Sequence, residues 1–347
     1  MKKTLFVAGT WDSKDGKESG LMKKMYYLLK QDYDIDYFNG GNYEQLKTII
    51  ASAKKYDIIF WLANINNDLE KLENIKNVNP LALVIGSKRN HYEEYSFVDI
   101  LNKSLIKRHN LTIEFSRSDE KKFKMLLFDP LGTVWYDGFE IKDLVENMKN
   151  RINFILTTKR ERTFKADGPV DIPNHEEFFQ YTRDVANIFH ETINHADGVT
   201  RFLGNASFKM NNRIYVSRRD VDKALINKEN FVESFSKDNK VYYYGDYKPS
   251  KDTVVQIKLY KLFPEINYIV HSHCYADGAA FTKTPVPCGS LDEIDEILYV
   301  IKNEYNNEFN LSYYKFNLKG HGTLIMAKTI DELKQTKFIT RNIPEKL

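Results

Sequence analysis

The stretch Asn267-Tyr-Ile-Val-His271-Ser-His273-Cys-Tyr-Ala-Asp277 places two histidines one residue apart at the end of an apolar run. Alternate residues of a strand point to the same face, so both imidazoles can reach one ion. Neutral imidazole is a common zinc ligand, and a catalytic zinc typically has three protein ligands and one open position. His321 is the best candidate for the third ligand, because glycines on both sides let the backbone turn tightly into the next apolar run. The sequence therefore predicts a site for Zn²⁺, or another divalent metal, at His271, His273 and His321.

Two further motifs precede these histidines, Gly204-Asn205-Ala-Ser207-Phe-Lys209 and Lys248-Pro249-Ser250-Lys251-Asp252-Thr253. In this order and at these separations, the motifs resemble the class II aldolase/adducin family, which includes zinc-dependent fuculose-phosphate aldolases and ribulose-phosphate 4-epimerases. The resemblance runs roughly from Phe178 to Ile339. It implies an α/β/α sandwich and a homo-oligomer, a tetramer in relatives, with active sites at subunit interfaces.

Asp252 is the candidate acid/base residue. The resemblance places it where the aldolases have a glutamate and the epimerases an aspartate, and a carboxylate beside the metal can move the substrate proton. The alternative is a structural role, because Ser250 or Asp252 could cap a helix that begins near Val254. The two roles do not exclude each other.

Binding of a substrate anion is expected from two groups of residues. The resemblance carries over Asn205 and Ser250, and Lys251 stands where many relatives have a second serine. The segment Ser217-Arg218-Arg219-Asp220 departs from the Thr-Pro-Ser/Thr-Gly loop of the family. Arg218 and Arg219 offer guanidinium groups, which bind phosphate or carboxylate bidentately, or they are solvated surface residues.

The second proton donor of the family has no clear counterpart. The segment from Tyr275 to Pro287 is short for the loop in which relatives carry an additional tyrosine or aspartate. Tyr275, Asp277 or a residue of the first half of the chain are the candidates to replace it, and we take Tyr275 as the working choice.

Length and composition indicate two domains of a globular protein. The chain has 347 residues, of which 42% are hydrophobic and 29% charged, with a formal net charge of +3. A nearly balanced charge does not favour nucleic acid as a partner. The chain has only two cysteines and no apolar run of about 20 residues, so we expect a cytoplasmic protein without a membrane span.

The first half alternates apolar strands with amphipathic helices, which predicts a Rossmann-like open parallel sheet over residues 1–156. A charged segment with glycine and prolines, residues 157–174, is the expected linker, and residues 175–347 form the aldolase-like domain. Glycine- and asparagine-rich loops follow several predicted strands, such as Gly9-Thr10 and Asn39-Gly40-Gly41. They are either a second ligand pocket or ordinary turns, and the role of this domain stays open.

The leading hypothesis is a zinc-dependent lyase, an aldolase. It would cleave or form a C–C bond in a small anionic hydroxy-carbonyl compound, with a sugar phosphate as first candidate, through a metal-stabilised enediolate. The alternatives are a sugar-phosphate 4-epimerase or dehydratase that uses the same site, and a non-catalytic adducin-like binding protein. A separate activity in the first domain is a further possibility.

Overall fold

The computed structural model describes residues 2–65, 72–90, 94–117, 123–186, 192–194 and 200–346. The chain divides into two compact units, residues 1–156 with 343–347, and residues 157–342. Residues 343–347 thus join the first unit, whereas the sequence placed them in the second. The reason is strand pairing, because the short strand Glu345–Lys346 pairs in parallel with the strand Thr133–Gly138.

In the first unit, helices alternate along the chain with the strands of one sheet. Its strands are β1 (Lys3–Asp12), β2 (Asp34–Asn42), β3 (Ile58–Trp61), β4 (Asn64–Ile65), β5 (Leu83–Asn90), β6 (Leu111–Arg117), β7 (Phe123–Phe128) and β8 (Thr133–Gly138). Its helices are α1 (Gly20–Leu29), α2 (Tyr43–Ala51), α3 (Ile75–Val78), α4 (Phe97–Lys107) and α5 (Ile141–Thr157), with a 3₁₀ turn at Ser52–Lys55.

The strand order is β2-β1-β3-β5-β6-β7-β8, followed by Glu345–Lys346, and β4 pairs with the end of β1. Strands β2 to β6 pair in parallel, and β6, β7 and β8 pair antiparallel. Alternate residues of β1 face opposite helices. Phe6 packs with Met25 of α1, and Leu5 packs with Leu46 of α2. Helices therefore cover both faces of an open, mainly parallel sheet, as predicted.

Gly9-Thr10 and Asn39-Gly40-Gly41, which the sequence placed in loops, lie inside β1 and β2, where the pairing is irregular between Ala8 and Trp11. Thr10 N donates to Lys17 O at 2.9 Å, and Gly16 N donates to Gly41 O at 3.0 Å. A Cβ added to Gly9, where φ is +74°, would lie 2.5 Å from Gly40 N. Backbone atoms of the protein itself thus fill the space beside these glycines, which does not favour a ligand pocket there.

The second unit is built around another mixed sheet. Its strands are β9 (Thr163–Ala166), β10 (Thr192–Asn194), β11 (Thr200–Phe202), β12 (Asn205–Met210), β13 (Arg213–Ser217), β14 (Phe231–Lys237), β15 (Lys240–Tyr244), β16 (Tyr268–Ser272), β17 (Tyr275–Ala276), β18 (Ala280–Phe281), β19 (Tyr313–Leu318), β20 (Gly322–Ala327) and β21 (Phe338–Ile339). Its helices are α6 (Glu176–Asp184), α7 (Thr253–Leu262), α8 (Asp292–Glu304) and α9 (Ile330–Lys334), with 3₁₀ turns at Lys223–Leu225 and Lys228–Asn230.

The main sheet of this unit has the order β18-β19-β20-β16-β12-β13-β14-β15-β9. Neighbouring residues of its central strand β16 enter different cores. Val270 packs in a cluster with Phe178 of α6, whereas Ile269 packs in a cluster with Leu259 of α7 and Ile297 of α8. Helices on both faces give the expected α/β/α sandwich.

Two sequence expectations differ from the structure here. The predicted linker contains β9, which pairs in parallel with β15 at the sheet edge. The spacing of apolar residues such as Phe179, Val185 and Ile193 predicts a helix from Glu176 to His195. In the structure, α6 ends at Asp184, and Thr192–Asn194 pairs with Thr200–Phe202 as a strand. Residues 187–191 and 195 of that expectation lie outside the described residues. Among the helices that the structure describes, none has the length and apolar character needed to cross a membrane.

Candidate metal centre and active site

The three predicted metal ligands meet at one end of the central strands. His271 lies in β16, His273 follows the last residue of that strand, and His321 immediately precedes β20, which pairs with β16. Gly322 makes this approach possible, because a Cβ at that position would lie 2.0 Å from Ser272 O. Gly320 adopts a φ of +67° in the turn before His321.

The imidazoles form a compact buried group. One ligand nitrogen from each of His271, His273 and His321 lies within 4.8 Å of the other two. His271 Nδ1 donates to Thr323 O at 2.9 Å, which leaves Nε2 of a neutral His271 as a lone-pair donor. That Nε2 is 3.1 Å from Nε2 of His321. The nitrogen of His271 that carries the lone pair therefore lies beside a ring nitrogen of His321.

His321 has two neighbours that the sequence patterns did not single out. Oε2 of the buried Glu293 lies 3.8 Å from His321 Nδ1, which has no hydrogen-bond partner within the described residues. Sγ of Cys288 lies 3.2 Å from His321 Nε2. On the backbone side, Arg341 donates to His321 O at 2.8 Å. Both ring nitrogens of this histidine thus lie close to polar groups.

Burial dominates the electrostatics of the centre. It lowers the pKa of His271 and brings the pKa values of His273 and His321 well below the ordinary value of 6.5. Burial, together with the negative charge of Asp252, raises the pKa of the Cys288 thiol and of the Glu293 carboxyl well above their usual ranges. The imidazoles are consequently neutral at physiological pH, which is the state that binds a metal.

One oxygen of the Asp252 carboxylate is hydrogen-bonded, and the other has no partner among the described residues. Its Oδ2 accepts a 2.6 Å hydrogen bond from the Asn205 side chain, whose own oxygen accepts from Gln256. Its Oδ1 is buried and has no partner in the described part of the chain. Asp252 occupies the N-cap position of α7, but its side chain makes no capping hydrogen bond. The prediction that the Asp252 side chain caps this helix is therefore wrong. Ser250 Oγ does accept a 3.3 Å hydrogen bond from the backbone N of Asp252.

The sequence patterns did not identify Lys223, a lysine with 1% of its surface exposed. Its ammonium donates to Leu203 O at 3.3 Å, its one hydrogen-bond acceptor in the part of the chain described. Burial lowers the pKa of Lys223 to about 8, against the opposing charges of Asp220 and Asp222. Its positive charge also lowers the pKa of both His271 and His273, so it acts on the metal centre.

The remaining predicted residues lie in several environments. The Tyr275 hydroxyl is buried and accepts a 3.2 Å hydrogen bond from Gly320 N, in the turn that precedes His321. Lys251 is exposed, and its charge opposes the rise in the pKa of Cys288 that burial causes. Arg218 stacks its guanidinium on the Tyr247 ring at 3.2 Å and donates to Glu229 O. Arg219 is exposed, and its backbone N donates to Lys248 O.

The residues present suit a divalent metal. Three neutral imidazoles converge, and Nδ1 of His321 has no hydrogen-bond partner among the described residues. Oδ1 of Asp252 is also buried without a partner in that part of the chain, and the charge of Asp252 acts on His271. Buried polar atoms normally have partners, so such a group indicates a missing ligand. Three nitrogen ligands, rather than four, are typical of a catalytic rather than a structural zinc site.

Comparison with known proteins agrees with this arrangement. Residues 183–339 match the family described as the class II aldolase and adducin N-terminal domain. The resemblance inferred from the motifs is confirmed for this part of the chain, and it supports a general aldolase-like function. No match was found among curated protein sequences.

Solved structures show weak likenesses. L-fuculose-1-phosphate aldolase from Thermus thermophilus has 17% identity, covering 44% of this chain and 77% of that one, with a TM-score of 0.29. YgbL from Klebsiella pneumoniae has 14% identity over 46% and 80%, with a TM-score of 0.32. A DNA/pantothenate metabolism flavoprotein from Streptococcus pneumoniae has 15% identity over 44% and 98%, with a TM-score of 0.36. Scores this low say nothing about function.

Proposed function

We propose that residues 157–342 form a zinc-dependent lyase that cleaves or forms a C–C bond in a small anionic hydroxy-carbonyl compound. The observation that carries the proposal is the convergence of His271, His273 and His321 near a buried carboxylate, Asp252, with one oxygen that lacks a partner among the described residues. The family match agrees with this chemistry. A sugar phosphate is the first substrate to test.

The three histidines would hold the ion. A bound divalent metal supplies the positive charge that stabilises negative charge developing on substrate oxygens during C–C cleavage. His271 is oriented for this by its Nδ1 hydrogen bond to Thr323 O. Oε2 of Glu293 lies 3.8 Å from Nδ1 of His321, and a carboxyl group on this side would orient the ring of a metal-bound histidine once it came within hydrogen-bond distance.

Asp252 would move the substrate proton. Asn205 fixes Oδ2 of the carboxylate, so Oδ1 is the atom that can accept or return a proton. A general base requires a defined position as well as a suitable charge state, and the Asn205 and Gln256 side chains supply the position. Tyr275 is a weaker candidate for the second proton donor, because its hydroxyl already accepts a hydrogen bond from Gly320 N.

An anionic substrate is supported by the local charge. Lys223 is a buried cation that acts electrostatically on two of the histidines. A buried ammonium is costly unless a counter-charge reaches it, and a substrate carboxylate or phosphate would provide one. We propose that Lys223 takes part in this binding with Ser250, Lys251 and Asn205. Arg218 and Arg219 are weaker candidates because the guanidinium of Arg218 is already bound elsewhere.

Epimerisation is the second candidate, favoured by an aspartate at position 252 where the resembling aldolases have a glutamate. It would use the same histidines and proceed through the same bond cleavage. We also propose a cytoplasmic homo-oligomer, with a tetramer as the state that the family resemblance implies. Sedimentation velocity of the full chain tests the assembly, and a monomer would contradict it.

Activity is tested by incubating the zinc-loaded protein with a panel of sugar phosphates and measuring released carbonyl fragments and epimers. Cleavage of at least one compound, lost on chelation and restored by zinc, is expected. A zinc-loaded protein that is inert toward the whole panel would contradict the lyase proposal. Formation of an epimer without net cleavage would establish the second candidate instead.

A further inference from the structure

Arg160 lies in the segment that the sequence assigned to a linker, and its two neighbours hold that segment against helices α7 and α8. On one side, Lys159 N donates a 2.8 Å hydrogen bond to Oδ2 of Asp292, the first residue of α8. On the other side, Oε1 of Glu161 accepts a 2.8 Å hydrogen bond from Nζ of Lys258 in α7. Arg160 is therefore held between these two helices.

The same segment reaches the turn that carries Cys288. The carbonyl oxygen of Lys159 accepts a 2.8 Å hydrogen bond from Leu291 N, three residues beyond that cysteine. Cys288 Sγ in turn lies 3.2 Å from Nε2 of His321, a predicted metal ligand. The charge of Arg160 acts on the Cys288 thiol, which places this arginine near the candidate active site.

Lys251 approaches the same turn from another segment. A Cβ added to Gly289 would lie 3.1 Å from Lys251 O, so the two backbones are in close contact. The charges of Lys251 and of the candidate base Asp252 also act on the Cys288 thiol. Two cations that are distant in sequence therefore come together near the proposed acid/base residue.

Arg160 and Lys251 make no side-chain hydrogen bond or ion pair in the part of the chain that the structure describes. Both residues are exposed, but protein atoms surround the guanidinium of Arg160 closely enough that burial lowers its pKa. A cation that is partly removed from water without a bonded counter-ion is unfavourable, and an anionic ligand would relieve that cost.

We propose that Arg160 binds the anionic group of the substrate, beside Lys251, and thereby helps to determine specificity. The inference rests on the proposed function, because it concerns the substrate of the same site. A guanidinium offers two parallel N–H donors that match the oxygens of phosphate or carboxylate. Arg160 lies outside residues 183–339, so this specificity would come from a segment that the family match does not include.

Anion binding tests the proposal without a lyase assay. The full chain is treated with a chelator, and inorganic phosphate and acetate are titrated separately into wild type, Arg160→Gln, Arg160→Lys and Arg162→Gln in a calorimeter at low ionic strength. Arg162→Gln is the matched control, because it removes an exposed arginine two residues away. At least one anion should bind wild type and Arg162→Gln equally, and Arg160→Gln roughly tenfold or more weakly. Arg160→Lys, which keeps the charge but not the paired donors, should fall between them.

The outcomes separate this proposal from the proposed reaction. Binding of neither anion by wild type, or equal affinity in wild type and Arg160→Gln, would overturn the role of Arg160. An equal loss in Arg162→Gln would overturn it as well, because the charge of the segment alone would then account for binding. The anion whose binding depends on Arg160 identifies the substrate group as phosphate or carboxylate. A protein that binds phosphate through Arg160 but is inert toward the sugar phosphates would keep the anion site and contradict only the lyase.

Discussion

The Asn205 side-chain amide donates a 2.6 Å hydrogen bond to Oδ2 of Asp252, while Oδ1 of the same carboxylate has no partner within the described residues. One oxygen is therefore anchored and the other is available. The anchor is itself fixed, because the Asn205 oxygen accepts from Gln256. Such a carboxylate fits the proposed role of acid/base beside the three histidines, and its side chain does not cap the helix that follows it.

Asp252→Asn removes the proposed base and preserves the shape of the side chain. We expect kcat to fall by about 10²–10⁴-fold, the usual contribution of a general acid or base, with zinc content unchanged. Asp238→Asn, at an exposed hairpin position with a φ of +50° that asparagine also adopts, is the matched control and should retain full activity. An Asp252→Asn protein that turns over at the wild-type rate would exclude the carboxylate as the base.

Lys223→Met should make the protein more stable and weaken its binding of an anionic substrate. The drop in the pKa of Lys223 from 10.5 to about 8 corresponds to roughly 3 kcal/mol of unfavourable burial of the charge. Replacing the cation by an apolar chain of similar length should therefore raise the free energy of unfolding and increase KM for an anionic substrate. Urea unfolding and steady-state kinetics measure the two effects. A variant that loses stability and keeps its KM would rule out substrate binding by Lys223.

The same residue sets a pH dependence. Below about pH 8 Lys223 carries its charge, and above that value it becomes neutral. KM of the wild type for an anionic substrate should therefore rise as the pH passes from 7 to 9. In Lys223→Arg, whose charge persists, KM should stay flat over this range. Identical profiles for the two proteins would show that another group governs the pH dependence.

Acid should destabilise the metal-free protein through the histidines. Their folded-state pKa values lie below the ordinary value of 6.5, so the unfolded chain binds more protons as the pH falls below 6.5. Stability is complete above this value and is lost as the pH descends toward the lower folded-state values. His273→Gln removes one such group, and its stability should fall less steeply by up to about 1.4 kcal/mol per pH unit. Urea titrations of chelated protein at pH 8 to 5 measure the slopes, and equal slopes would count against the burial of a neutral His273.

Gly322 links the fold to the site. A Cβ there would meet Ser272 O at 2.0 Å, so Gly322→Ala must push β20 away from β16 and displace His321 from His271. We expect a loss of both thermal stability and metal affinity. The control is Gly20→Ala at the start of α1, where nothing lies within 4 Å of the added Cβ and alanine favours helix. Normal zinc binding by Gly322→Ala would show that the close strand approach does not position the ligands.

The fold was predictable where apolar runs were long. Strands such as β1 and β3, and helix α1, follow from periodicity alone. Helix α4 was not predicted, although Ser96 and Asp99 form a capping box that marks its start. Strand β9 is short and charged, and it becomes a strand only by pairing with β15, which lies far along the chain.

The site was predictable as far as its motifs reach. The three histidines and Asp252 were identified by spacing and resemblance, and the structure brings them together. Lys223, Cys288 and Glu293 were not, because nothing in their local sequence distinguishes them from surface residues. Their importance arises from tertiary contacts with segments 20 to 33 positions away, as between Lys223 and Leu203 or Cys288 and His321.

Elemental analysis of the full chain, purified without chelators, tests the three-histidine metal centre most directly. Wild type should carry close to one zinc per chain, and His273→Ala should lose it. The control His175→Gln alters a histidine that contacts Tyr268 instead of the cluster, and it should keep the metal. Absence of metal from the wild type, even after reconstitution with zinc, or equal zinc content in His273→Ala and wild type, would contradict the proposed centre.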